Sequence, residues 1–315
     1  MGTMKVPALK KGYTTMPVQR FEKNPIITAG DIPFQVNSIF NAGAVKMKDR
    51  YILLCRVEMP VGRSAFVRAV STDGIHFKVD SKPCLTPDQH GEWSPYVQWG
   101  IEDARITALE GNFYLLYTGY SSHLPLVMLA QTKDFEQYNI LGPITEPSNK
   151  DAALFPEKID GFYWKLDRPA AENKREIWIS RSPDLLHWGG YQFLMQGESG
   201  TWENDKIGAS SPPLRTREGW LLLYHGVRGF GISSIHRLGV VLLDLERPWK
   251  VKGKSKVPIL SPEKDYERLG DVPNVIFSTG WIVEDNQEVK IYYSGADMNV
   301  CLAMTTIDYL LSLCR

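Results

Sequence analysis

One pattern is written five times along this chain, and a repeat of that size constrains the fold more than any single motif. Each copy opens on small residues, crosses a turn and enters an apolar run. The copies begin at Asn41 (NAGAVKMKDRYILLCRVE), Glu102 (EDARITALEGNFYLLYTGY), Lys150 (KDAALFPEKIDGFYWKLDRP), Gly208 (GASSPPLRTREGWLLLYHGV) and Asn274 (NVIFSTGWIVEDNQEVKIYYSGAD). A second strand pair follows in each, starting at Phe66, Val127, Ile177, Leu238 and Val300. A period of roughly 50–65 residues is close to that of four-stranded propeller blades. Turn centres at Lys48-Asp49, Glu110-Gly111, Asp160-Gly161, Glu218-Gly219 and Asp285-Asn286 separate the apolar runs, as hairpins require. Runs such as Tyr51-Ile52-Leu53 and Trp220-Leu221-Leu222 are continuous, which suits strands packed between sheets, although a buried helix has the same signature. Small residues such as Ala42-Gly43 and Gly208-Ala209 suit strands crowded around an axis. The expected architecture is all-β, a five-bladed β-propeller forming one domain over residues 41–315. Residues 1–40 read as an N-terminal arm that packs on the propeller or supplies an outer strand.

Bulk charge narrows the partners. Lys+Arg and Asp+Glu both number 36, for a formal net charge of +0. That balance gives no support to a nucleic-acid or membrane-surface partner, so any anion must be held by a local cluster. No stretch approaches the roughly 18 apolar residues of a membrane span. The opening MGTMKVPALKKGY has no apolar core of a secretory signal, and the expected location is cytoplasmic. Cys55, Cys84, Cys301 and Cys314 show no metal-type pairing and read as reduced thiols. His76, His90, His123 and His187 are spread without ligand spacing, so no metal site is expected. His187 belongs to an outer hairpin and reads as structural.

Propellers carry chemistry where inner strands end around the axis. Glu102-Asp103-Ala104-Arg105 puts two carboxylates and a guanidinium at such an end. Strand alternation predicts that Glu102 and Asp103 face opposite ways, one free for acid chemistry and the other paired with Arg105. Arg56, Arg168 and His225 end apolar runs at equivalent places in three copies, and Lys150 and Lys206 stand at the starts of the third and fourth. Singly, each reads as a salt-bridge partner, Arg168 with Asp167 or Asp151. Their recurrence points instead to a site for a small oxyanion such as phosphate or a carboxylate. Trp93, Tyr96, Trp99, Tyr120, Tyr163, Trp202, Tyr224 and Tyr293 lie near the same loop ends, either packing blades or stacking on sugar rings.

The ordered set Asn41-Ala42-Gly43, Arg56-Val57-Glu58, Glu102-Asp103-Ala104-Arg105, Asp151-Ala152-Ala153-Leu154-Phe155-Pro156, Asp167-Arg168-Pro169, Ile207-Gly208-Ala209, Tyr224-His225-Gly226-Val227, Val272-Pro273-Asn274-Val275 and Tyr293-Ser294-Gly295-Ala296-Asp297 closely resembles glycoside hydrolase family 130, the β-mannoside phosphorylases and related β-mannosidases. The resemblance runs over nearly the whole chain. It implies a five-bladed propeller that performs inverting phosphorolysis, turning a β-mannoside and phosphate into α-mannose 1-phosphate and a shortened acceptor. It further implies Asp103 as the catalytic acid, protonating the glycosidic oxygen through the mannose 3-hydroxyl. Lys150, Arg168 and His225 match the family's phosphate-holding positions, with Lys206 nearby. Asn41, Arg56 and Asp297 match positions that bind the mannosyl unit. Phosphate is then a co-substrate, and no cofactor is expected. Lys150 stands where several phosphorylases have Arg, and His236 where a Tyr is common.

Two other readings remain open at this level. An inverting β-mannosidase would need a second carboxylate about 6.5–9.5 Å from the acid to activate water, for which Glu203 or Asp205 is the candidate. A non-catalytic carbohydrate-binding propeller would use Asp103 only as an acceptor. Retention of Arg168 and His225, which the family's hydrolytic branches generally lack, favours the phosphorylase. Sugar linkage and oligomeric state, including a homo-oligomer, are not legible in these residues.

Overall fold

Tight turns set the register from which the sheets grow. Glu110 and Gly111 both take positive φ (50° and 78°), as do Asp160 and Gly161 (52° and 76°). That backbone matches the right-handed twist of the strands on either side. The computed structural model describes residues 16–170 and 176–315. The opening segment read above for a secretory signal lies outside the described residues. Among those described, the fold is all-β, with antiparallel strands in several sheets.

Ser38–Met47, Arg50–Glu58, Ser64–Ser71 and Lys78–Val79 pair in chain order. Gly100–Leu109, Asn112–Tyr120, Leu126–Thr132 and Asn139–Pro143 repeat that order. A single parallel bridge between Ser64 and Gly100 joins the two groups into one eight-stranded sheet. Asn149–Leu154, Tyr163–Pro169, Ile177–Ser182 and Gly189–Met195 form the next sheet. Lys206–Ala209, Trp220–Phe230, Ser233–Leu243 and Val251–Lys254 follow. There the first strand is interrupted at Pro212-Pro213, which cannot donate to the ladder, and resumes as Leu214–Arg215 on the same neighbour. In the last sheet Ile276–Val283, Glu288–Gly295 and Asn299–Thr306 are flanked by Gln19–Arg20, so the arm's strand lies against the final one.

Packing explains the continuous apolar runs. Ile52 and Leu54 pack with Ile106, Leu115 and Tyr117 on one side. Tyr51, Leu53 and Cys55 pack with Tyr292, Val300 and Leu302 on the other. Alternate side chains thus enter two different apolar layers, and each fully buried one contributes roughly 1.5–3 kcal/mol. The second layer also brings the first sheet against the last. Inner strands approach so closely that a side chain is excluded at some positions. A Cβ on Gly43 would lie 2.4 Å from the Ala104 carbonyl oxygen, and one on Gly280 would lie 2.3 Å from the Ala44 nitrogen.

The outer hairpins close on a repeated side-chain turn. Ser71 Oγ accepts from the amides of Asp73 and Gly74, and Asp73 Oδ1 from those of Ile75 and His76. Ser182 and Asp184 repeat the device, and Asp184 Oδ2 lies 2.8 Å from His187 Nδ1. The four cysteines are free thiols, and no described helix is long and apolar enough to cross a membrane.

Candidate active site

Three first strands break their pleat at the same place. The register shifts between Phe40 and Gly43, between Glu102 and Arg105, and between Lys150 and Ala153. Within each shift one residue takes the left-handed backbone: Asn41 (φ 44°), Asp103 (φ 57°) and Asp151 (φ 56°). Asn and Asp enter that region more readily than other side chains, and such bulges re-aim what a strand presents. The bulge overturns the expectation that Glu102 and Asp103 face apart. Both line one pocket of about 160 Å³, and so do Lys150 and Asp151.

All eight residues singled out from the sequence, Asp103, Lys150, Arg168, His225, Lys206, Asn41, Arg56 and Asp297, line this pocket, together with Glu102, Asp151, His236, Val275 and Phe277. On one side Asp103 Oδ1 accepts from Asn41 Nδ2 at 2.8 Å and from an Arg56 terminal nitrogen at 3.2 Å. Both contacts fall on the same oxygen, so Oδ2 has no hydrogen-bond partner among the described residues. Arg56 also donates to Glu102 Oε1 at 2.8 Å and Ser64 Oγ at 2.9 Å, and lies 4.7 Å from the Phe40 ring centre. Ser294 donates to Asn41 Oδ1 at 2.5 Å, which turns the Asn41 amide nitrogen toward Asp103. Asp297 sits in the tight turn before the last strand, at φ 53°. Burial, and then the negative charge of Asp103, push its carboxyl up to about 7, against the opposing pull of Arg56.

The other side is built on Asp151. Its Oδ2 accepts from Arg168 Nε at 2.6 Å, and its Oδ1 lies 3.2 Å from an Arg105 terminal nitrogen. Arg105 therefore pairs with neither neighbouring carboxylate, contrary to expectation. It donates to the carbonyls of Asp103, Ala209 and Ser210 as well. Arg168 pairs with Asp151 and not with Asp167, whose partner is Lys165. Burial alone would raise the Asp151 pKa, but Arg168, His225 and Arg105 outweigh it and hold the group well below the usual carboxylate range. His225 Nε2 stands 3.6 Å from Asp151 Oδ2, and burial keeps its imidazole well below its ordinary pKa. Burial, with Lys206 adding to it, lowers His236 to about 3. Lys206, Val227 and His236 lie side by side across three strands, and Lys150 lies across from Arg168.

The pocket departs from the picture of one carboxylate facing cations. Glu102, Asp103, Asp151 and Asp297 all line it. Surroundings separate them: Glu102 bridges Arg56 and Lys150, the latter at 3.9 Å, and Asp151 is covered by Arg105 and Arg168. None of the eight aromatics left between blade packing and sugar stacking lines it. Tyr163, Tyr224 and Tyr293 are buried in packing, and Trp99 and Tyr120 pair edge to face on the surface. The ring present is Phe277, 4.7 Å from His225. Asp151 and Glu102 were not among the sequence-assigned site residues. The legible signal was Asp151-Ala152-Ala153, which stands in its copy where Asn41-Ala42-Gly43 and Asp103-Ala104-Arg105 stand in theirs.

A pocket so polar, lined by paired charges of both signs, suits a hydroxyl-rich ligand together with an anion. An all-β scaffold carrying such a pocket is compatible with a carbohydrate-active enzyme, and the family match makes that assignment. The chain belongs to glycoside hydrolase family 130, whose model, described as beta-1,4-mannooligosaccharide phosphorylase, matches residues 6–315. The beta-1,2-mannobiose phosphorylase of Thermoanaerobacter sp. (strain X514) is 37% identical, over 90% of this chain and 96% of its own. The beta-1,4-mannooligosaccharide phosphorylase of Ruminococcus albus is 33% identical, over 92% and 89%. Among solved structures, beta-1,2-mannobiose phosphorylase from Listeria innocua in complex with beta-1,2-mannobiose matches with a TM-score of 0.87 at 31% identity, covering 95% of this chain and 99% of that one.

Proposed function

We propose that this chain is an inverting β-mannoside phosphorylase, in which Asp103 is the acid and Lys150, Arg168, Lys206 and His225 hold phosphate. Asn41, Arg56 and Asp297 hold the mannosyl unit. The observation that carries the reading is the division of one pocket into two halves. Asn41, Arg56, Asp103 and Asp297 make the hydroxyl-binding half, and a cation group built on Asp151 makes the other. Arg168 touches Asp151 through Nε, and among the described residues its two terminal nitrogens have no side-chain partner. That fork is suited to grip an oxyanion in two places.

The chemistry needs no second carboxylate as a base. A phosphate oxygen attacks the anomeric carbon from the face opposite the leaving oxygen, and the C–O bond to the acceptor breaks. Protonated on Oδ2, the oxygen that neither Asn41 nor Arg56 occupies, Asp103 passes that proton to the leaving oxygen through the sugar's 3-hydroxyl and takes another from solvent. The acid is held in place by Asn41 and Arg56, both on Oδ1. Glu203, offered above as a water-activating base, is instead buried against Tyr224 and Lys254, and Asp205 accepts from the Gly229 amide; neither lines the pocket.

Five antiparallel strand groups, with the first packed against the last, support a five-bladed propeller over residues 41–315, and the strand Gln19–Arg20 on the final sheet supports an N-terminal arm that packs on it. Free thiols support a cytoplasmic enzyme. The relatives named above divide between β-1,2 and β-1,4 linkages, which makes mannose or a manno-oligosaccharide the first acceptor to try, with glucose and GlcNAc beside it. The test is turnover of β-1,2- and β-1,4-mannobiose with and without phosphate, and synthesis from α-mannose 1-phosphate with each acceptor. Mannose 1-phosphate should form only when phosphate is present. Free mannose released at the same rate without phosphate would replace this reading with a hydrolase. Binding with no turnover under any condition would leave a carbohydrate-binding module.

A further inference from the structure

Asp151 is 3% exposed, and every polar contact of its carboxylate goes to a cation or an imidazole. Arg105 holds Oδ1 and Arg168 holds Oδ2 at 2.6 Å, while the His225 ring stands against the same oxygen with Nε2 at 3.6 Å, in packing contact. Arg105 is itself 1% exposed and is fastened to main-chain carbonyls of Asp103, Ala209 and Ser210. A single carboxylate thus connects the strand that carries the acid with two of the groups that face the anion. We propose that Asp151 is a positioning residue for phosphate, fixing Arg168 and His225 relative to each other and to the backbone of Asp103. The inference rests on the phosphorylase reading above.

The geometry explains why a carboxylate serves here. Contact at Arg168 Nε pins the guanidinium plane while its outer fork stays directed to the ligand. Without the Asp151 charge, Arg168, Lys150 and Lys206 would repel one another and Arg168 would adopt other rotamers. Gly208 leaves the space that this pair needs: a Cβ there would lie 2.5 Å from His225 Cε1 and 2.6 Å from Asp151 Oδ2. Any Cβ at this position would force one or both of these side chains to shift.

Asp151→Asn is the informative variant, because Asn tolerates the left-handed backbone at this bulge and removes only the charge and one acceptor. Steady-state kinetics of phosphorolysis should show the KM for phosphate rising at least tenfold while the KM for the mannoside changes less than twofold. Gly208→Ala displaces the same pair without altering any charge, and should shift the two constants in the same selective way. It carries the test if Asp151→Asn is not recovered folded. A phosphate KM within twofold of the parent in a folded variant, or parallel rises in both constants, would overturn the proposal. A parent enzyme with no phosphate requirement would overturn the phosphorylase reading itself, and this inference with it.

Discussion

Asp103 and Asp297 occupy one pocket, and their surroundings give them different work. Asp103 is held through Oδ1 by Asn41 and Arg56. Replacing it with Asn keeps the shape and the left-handed backbone but removes the transferable proton. Turnover of Asp103→Asn should fall by about 10²–10⁴ with the thermal midpoint little changed; near-normal turnover would remove Asp103 from the acid role. Asp297 is the opposite case, since burial and the Asp103 charge raise its carboxyl from 3.8 to about 7. Between those values the folded chain binds a proton that the unfolded chain releases, so this group's contribution to stability is present below about pH 4 and lost as pH rises through about 7. Asp297→Asn should flatten that dependence. Urea midpoints at pH 5 and pH 7.5 should show the parent losing roughly 1–2 kcal/mol more than the variant, after allowance for screening by pocket water.

Elements supply what residues alone cannot, namely direction. The inner-strand bulges place Glu102 beside Asp103 and Lys150 beside Asp151, where a regular strand would send one of each pair away. Small residues let those strands meet. Gly43 faces the Ala104 carbonyl, a backbone atom that cannot swing aside as a flexible side chain would. Gly43→Ala should therefore destabilise the fold by about 1–3 kcal/mol through overpacking, measured as a lowered urea midpoint with an unchanged slope. An unaltered midpoint would mean that the inner strands have room to spread.

At the scale of the whole molecule, the last sheet is held by contacts between residues far apart in the chain. Gln19–Arg20 pairs with Asn299–Thr306, and Arg20 Nε donates at 2.7 Å to Glu267, which is fully buried. Tyr293 donates to the same carboxylate at 2.9 Å. Arg20→Ala would strand that buried charge, at a cost of about 3 kcal/mol, and should lower the denaturation midpoint more than a substitution at the exposed Lys23. Equal midpoints would show that the arm's strand is dispensable to the stability of the last sheet.

Strand content, hairpin turns and the repeat were legible because they are local. Glu110-Gly111 and Asp160-Gly161 carry their turn chemistry in two residues, and an apolar run like Tyr51-Ile52-Leu53 announces burial on both faces. The ordered motifs, through family resemblance, also named eight residues that meet in one pocket although up to 256 positions separate them, from Asn41 to Asp297. The alternation rule failed at Glu102 and Asp103, because a bulge depends on pairing with the next strand as well as on the residue that occupies it. Partner choice was legible only in part: Asp151 was one of two candidates for Arg168, but Arg105 also converges on Asp151 and not on its chain neighbours, because distance in a folded chain is set by packing. Composition and pattern by themselves determined the strands, their turns and the supply of charges. The tertiary structure decided which charges face one another, since only the docking of separate sheets brings their inner strands to a common pocket.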